Sequence, residues 1–268
     1  MNIKIFDFLR PKYKTKLQRI GRTHDGGYCF PEESIKKTRV LYSAGLNDDW
    51  SFEKYFLSKN ENVKIITFDK SVNIKFWIKH FILNTIDLIK FKKNLKQFLT
   101  DAFSFFKYKL FFNKKNILHI KKNIVESDRN QNINEDKFST SIRSIISKYG
   151  NKDFSMKIDI EGNEFRIMRD ILDNQEGLEC LVMELHNVDL MKTHIKSFVE
   201  NLKLDLVHIH VNNFGGTNNE GFAKVIEVTF SKRKYNKVRD NDEFEFPDMS
   251  IDQSNDPNLR DLKVKFEN

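Results

Sequence analysis

Six short apolar runs punctuate this chain, and the stretches between them keep the period of a helix. Val40-Leu41-Tyr42-Ser43-Ala44-Gly45, Val63 to Asp69, Phe154 to Ile160, Leu181 to Glu184, Leu206 to His210 and Val225 to Phe230 read as strands. Ile117 to Ile120, with Ile124 and Val125, adds another. Phe52 to Leu57, Ser139 to Lys148, Glu164 to Leu172 and Met191 to Leu202 read as helices. Strands apolar on both faces must be covered on both, so the alternation predicts an α/β fold: a mostly parallel sheet with helices on either side.

In such a sheet, ligands bind beyond the carboxyl ends of the strands. Five strands end in groups able to do chemistry: Gly45; Asp69; Asp159 with Glu161; Glu184 with His186; and His210 with Asn212 and Asn213. Each has an ordinary structural use. Gly45 suits a turn, Asp69 a helix cap, His186 a satisfied core position, and Asn213 the turn with Gly215-Gly216. Together at one edge they predict a pocket. Within Met156-Lys157-Ile158-Asp159-Ile160-Glu161-Gly162-Asn163-Glu164 three carboxylates stand at and beyond the end of an apolar run. Burying an ionised carboxylate is costly unless it is paired or bound. Asp159 and Glu161 therefore either line the pocket or cap the following helix, of which Glu164 is a first-turn acid.

A glycine after the first strand lets a cofactor approach the backbone, and an acid after the second accepts hydrogen bonds from ribose hydroxyls. The loop reads Gly45-Leu46-Asn47-Asp48-Asp49-Trp50, without the further glycines that hold a pyrophosphate. Two aspartates there repel phosphate and favour a cationic cofactor such as S-adenosylmethionine. A nicotinamide-dependent dehydrogenase is correspondingly disfavoured.

The 268 residues, 39% hydrophobic, are enough for one large domain. No run reaches the roughly 18 apolar residues of a membrane span, and the opening Met1-Asn2-Ile3-Lys4-Ile5-Phe6-Asp7 lacks a signal-peptide core. A cytoplasmic location follows as the default. Cys29 and Cys180 show no metal-ligand spacing, and no disulfide is expected. The net charge of +8 is confined to residues 72–115, where ten lysines face two acids, Asp87 and Asp101, among nine phenylalanines. The polar positions recur every three or four residues, an amphipathic helical insertion with a wide aromatic face. It caps the domain or a second subunit of a homodimer, or lays its aromatic face on lipid at the inner face of the membrane.

Leu41 to Glu53, Phe68-Asp69 and Lys157 to Glu164 together resemble the signature blocks of FkbM-type S-adenosylmethionine-dependent methyltransferases. Arg19-Ile20-Gly21 through Asp25-Gly26-Gly27-Tyr28, Glu184-Leu185-His186, His210 to Asn213 and Ile251-Asp252 through Asn255-Asp256-Pro257 extend the resemblance to most of the chain outside 72–115. It implies a Rossmann-like class I methyltransferase fold, with residues 1–268 as one domain carrying a seven-stranded sheet. It also implies O-methylation of a sugar hydroxyl on a sugar, nucleotide sugar or glycan, in capsular or lipopolysaccharide assembly. On that reading Ser43, Gly45 and Asp48 hold the methionine part of the cofactor and Asp69 the ribose. Asp25 and Gly27 form a turn, a wall over the cofactor, or both. The base is His186 or His210, oriented by Glu184 or Asp159. Asp159, Glu184 and His210 either bind Mg2+ or Mn2+, with Asn212 nearby, or simply pair with one another. The rivals are a nucleic-acid methyltransferase, disfavoured because the lysine-rich segment lacks arginine, and a non-catalytic glycan-binding or scaffolding protein.

Overall fold

The computed structural model describes residues 2–127, 137–240 and 245–267. Its centre is a seven-stranded sheet of β1 (Val40–Ala44), β2 (Lys64–Phe68), β3 (Ile117–Ile120), β4 (Phe154–Ile158), β5 (Leu178–Leu185), β6 (Leu204–Val211) and β7 (Ile226–Lys232). The spatial order is β6-β7-β5-β4-β1-β2-β3. β7 runs antiparallel to both neighbours, and every other pairing is parallel. This order, reversing at β1 and β4 with one inverted strand near an edge, is the Rossmann-like class I methyltransferase sheet that the alternation and the resemblance led us to expect.

Helices cover both faces. α1 (Ser51–Lys59) lies on one side; α5 (Ile142–Tyr149), α6 (Glu164–Asp173) and α7 (Lys192–Asn201) lie on the other. The second helix expected from sequence starts later than Ser139. Ser139–Ser141 instead pairs with Asn123–Val125, and the Ser141 side chain accepts from Ser144 N to cap α5. The pairing also removes Ile124 and Val125 from the central sheet.

The period-2 alternation of the strands sorts their residues by chemistry. Met156, Ile158, Leu181, Met183, Leu185, Ile226, Val228 and Phe230 join the large core with Ile145, Ile167, Met168 and Phe198 of the α5–α7 side. Their alternates on β4 to β7 make a buried polar belt of Lys157, Glu184, His208, His210, Glu227 and Thr229. A register shift near Leu206 puts both histidines on this face. The belt is roofed by the hairpin Leu17–Ile20/Tyr28–Pro31 and by the segment 248–262. That segment supplies Asp252 to His208 at 3.1 Å, Asn255 to Glu227 at 2.8 Å and Asp261 to His210 at 3.0 Å.

Residues 72–115 fold as three helices, α2 (Ile74–Ile89), α3 (Leu95–Ala102) and α4 (Ser104–Phe112). Trp77 and Tyr108 pack with Leu46 and Trp50 of the loop after β1, a small core separate from the main one. Lys93 ties the bundle, donating to Asn84 Oδ1 at 2.6 Å and Asp101 Oδ2 at 2.8 Å.

Candidate active site

A cavity of about 920 Å3 opens at the carboxyl ends of β1, β2, β4 and β5. Its floor is the crossing of two loops. Gly45 has φ +84°, and a Cβ there would lie 1.6 Å from the Asp159 carbonyl oxygen, so only glycine lets the loops pass. Asp69 clamps the same loop. Its Oδ2 accepts from Leu46 N at 3.0 Å and Asn47 N at 2.8 Å, and its Oδ1 from Ser71 N and Ser71 Oγ. Burial works to raise the Asp69 pKa, but these donors outweigh it and hold the carboxyl below its usual value.

The wall along β4 and β5 is a buried charge cluster. Lys157 Nζ donates to the Gly45 carbonyl at 2.8 Å, lies 3.5 Å from Asp159 Oδ2 and sits over the Tyr28 ring. Tyr28 Oη donates to Asp159 Oδ2 at 3.0 Å and reaches Glu184 Oε2 at 3.4 Å, while Asn212 Nδ2 donates to Glu184 Oε1 at 3.1 Å. Burial, reinforced by Asp159 and Glu227, pushes the Glu184 carboxyl up to about 9. His186 Nδ1 lies 3.2 Å from Glu164 Oε1, and its Nε2 lies 3.5 Å from both Glu161 and Glu184. Burial opposes the charge on His186, but its Glu164 hydrogen bond and the surrounding carboxylates prevail and raise it to about 9. Glu164 is fully buried, and its Oε1 also accepts from Ile160 N and Gly162 N. This first-turn acid therefore shapes the loop carrying Asp159 as well as beginning α6.

Of the residues singled out from sequence, Gly45, Asp48, Asp69, Asp25, Asp159, Glu184 and His186 all line the cavity. Three do not. Ser43 is buried beneath it and donates its hydroxyl to Glu53 Oε1, so it reaches the site only through that carboxylate. Gly27 sits behind the wall, where a Cβ would meet the Arg22 carbonyl at 2.3 Å. Its neighbours Asp25 and Gly26 close the hairpin turn and line the cavity at once.

His210 is the larger correction. It is buried in the belt with Nδ1 3.3 Å from Glu227 and Nε2 3.0 Å from Asp261, and its pKa is raised to about 10. Burial opposes that charge, and the two carboxylates overcome it. It is neither a base for the cavity nor a partner of Asp159 and Glu184, so the Asp159, Glu184 and His210 metal set is not assembled. Asp159, Glu184 and His186 are mutually close instead. That trio is a poor match for Mg2+ or Mn2+: the Lys157 ammonium already occupies the cation position beside Asp159 Oδ2, and His186 holds its proton.

Three residues of the candidate site, Lys157, Tyr28 and Glu53, lie within the blocks that carry the resemblance but were given no role from sequence. Lys157 was legible as a lone cation inside an apolar strand, sharing Asp159's face by parity. Tyr28 gave no local signal, since its partners Asp159 and Glu184 lie far along the chain, and Glu53 meets Ser43 only once the strand and the following helix have packed. Glu53 Oε2 is buried on the cavity wall with no hydrogen-bond partner among the described residues.

The sheet order and the cavity at its carboxyl edge define a protein of Rossmann-like methyltransferase architecture. No family model and no curated protein matches the chain. Among solved structures it is similar to a precorrin-6Y C5,15-methyltransferase from Geobacter metallireducens, at 13% identity over 75% of this chain and 86% of that one, with a TM-score of 0.37. It is also similar to M. capricolum TrmK in complex with S-adenosyl-homocysteine, at 11% identity, 83% and 74% coverage and a TM-score of 0.38. A Methanococcus jannaschii fibrillarin shares 9% identity over 74% of this chain and 68% of that one, with a TM-score of 0.37.

Proposed function

We propose that the chain is an S-adenosylmethionine-dependent O-methyltransferase of the FkbM type, acting on a sugar hydroxyl in cell-surface glycan assembly. The observation that carries the cofactor reading is the charge of the cavity. Eight acidic side chains line it against four basic ones, Arg22, Lys157, Arg166 and His186. Such a wall suits a cofactor with sulfonium and ammonium groups and repels a nucleic-acid backbone. The partnerless Glu53 Oε2 is an acceptor suited to the ammonium, beside the Gly45 loop. Asp69 already takes four donors, so its part is to hold that loop open to the ribose, with any hydroxyl replacing one of the existing donors.

When bound, the cofactor supplies an electrophilic methyl group, and the protein's task is to orient the acceptor and take its proton. Burial and neighbouring carboxylates favour the protonated form of Glu184, and the carboxylates around His186 favour its imidazolium, so both are poor proton acceptors. Asp159 is the remaining candidate. Tyr28 and Lys157 both address its Oδ2, while Oδ1 has no partner among the described residues and takes the hydroxyl proton. Glu184, Asn212 and His186 then position a polyhydroxyl acceptor through hydrogen bonds. The sugar follows from the resemblance and from this polar lining.

Calorimetry with S-adenosylmethionine tests the cofactor, with no heat of binding as the result that defeats it. Incubation with labelled S-adenosylmethionine and a panel of nucleotide sugars and glycans tests the acceptor by a one-methyl mass gain. Transfer to RNA and not to any sugar would replace the acceptor reading.

A further inference from the structure

Thirteen of the 22 large apolar side chains exposed among the described residues lie between Ile74 and Leu110. The inward side of the three helices is accounted for by Trp77 and Tyr108 against Leu46 and Trp50. The outward side is not. Along α2, Ile74, Ile78, Phe81, Ile82 and Ile89 repeat at helical spacing as one solvent-facing stripe, with Ile86 at its edge, each 38–69% exposed. Exposed Lys75 and Lys79 each follow a stripe residue by one position, about 100° round the helix, and so flank the stripe. On α3 and α4 an open groove of about 590 Å3 is lined by Leu95, Leu99 and Phe103 together with Lys96 and Lys107.

We propose that this outward face of α2–α4 docks on an anionic lipid bilayer, its aliphatic and aromatic side chains in the acyl boundary and its lysines at the headgroups. Charge complementarity selects this occupant. The segment carries ten lysines against two acids, and Asp101 is already paired with Lys93. A second copy meeting the same patch across a two-fold axis would set this positive field against itself. Single-stranded nucleic acid fits the lysines, but the stripe is chiefly isoleucine and leucine, which offer no ring for base stacking. No helix among the described residues is long and apolar enough to cross a membrane, and the contact proposed is a peripheral one. The helices rest on the loop after Gly45, which places the cavity beside the lipid surface. The docking stands whether or not the cavity transfers a methyl group.

Flotation of the intact chain with phosphatidylcholine vesicles, with and without about 30 mol% phosphatidylglycerol, tests it. The chain should float with the anionic vesicles and be released by about 0.5 M salt. An Ile74→Ser, Ile78→Ser and Ile82→Ser triple variant, altered only at exposed positions, should lose at least about tenfold in partition at an unchanged melting temperature. Replacing Lys75, Lys79 and Lys96 by Gln should weaken binding to anionic vesicles only. Failure of the intact chain to float, or undiminished binding by the triple variant, overturns the proposal. So does a dimer, or a complex with single-stranded RNA, that depends on the same side chains while vesicles are ignored.

Discussion

Lys157 and Asp159 sit two residues apart on one strand face, and their joint burial under Tyr28 gives each a separate, measurable role. Replacing Lys157 by Met removes the donor to the Gly45 carbonyl and the cation beside Asp159. Urea denaturation should show a loss of about 1.5–3 kcal/mol, the usual worth of a charged hydrogen bond. Asp159→Asn keeps the shape and the Tyr28 contact but removes the proton acceptor. Steady-state assays should then show turnover reduced by about 10²–10⁴, with S-adenosylmethionine affinity by calorimetry largely kept. His210→Gln should change turnover little and stability substantially, because its partners are Glu227 and Asp261 and not the cavity.

Among the elements, the loop after β1 and the 248–262 segment depend most on single residues. Gly45→Ala puts a methyl group into the Asp159 carbonyl at a positive φ, and a loss of about 3 kcal/mol or more is expected in thermal melts. Asp252→Ala strands a buried histidine charge: Asp252 is itself held low by His208, although burial alone would raise it. Breaking such a pair costs about 3–5 kcal/mol. The strands and the edge that carries the cavity were legible in sequence because the apolar alternation is a local signal, whereas the strand order was not. The grouping of Gly45, Asp69, Asp159, Glu184 and His186 along the cavity was legible too, because each ends a strand. The misassignment of His210 had a physical cause. Its position near a strand end is the same as that of Glu184, but the residues that claim it, Glu227 and Asp261, are set by an antiparallel strand and a closing segment that no local pattern announces. Ser43 failed similarly, since strand parity points it beneath the loop toward Glu53.

For the molecule as a whole, Glu184, His186 and His210 titrate in the same direction. Glu184 is raised from 4.5 to about 9, so the folded state keeps a proton that the unfolded chain has lost, and its contribution falls as pH rises through that window. His186 and His210 are raised from 6.5 to about 9 and about 10. Their ion pairs stabilise fully below pH 6.5 and fade as pH climbs through those values. Stability in urea should therefore decline steadily from about pH 6 to pH 10, and Glu184→Gln should flatten the curve. Because Lys157 supplies the cation of the site, exhaustive chelation should leave methyl transfer intact. The 248–262 segment has a consequence in time. Asp252, Asn255 and Asp261 leave the ribosome after every strand of the central sheet whose buried polar groups they satisfy. During synthesis His208, His210 and Glu227 must therefore wait in water, and the nascent sheet cannot reach its final stability before residue 261 is added.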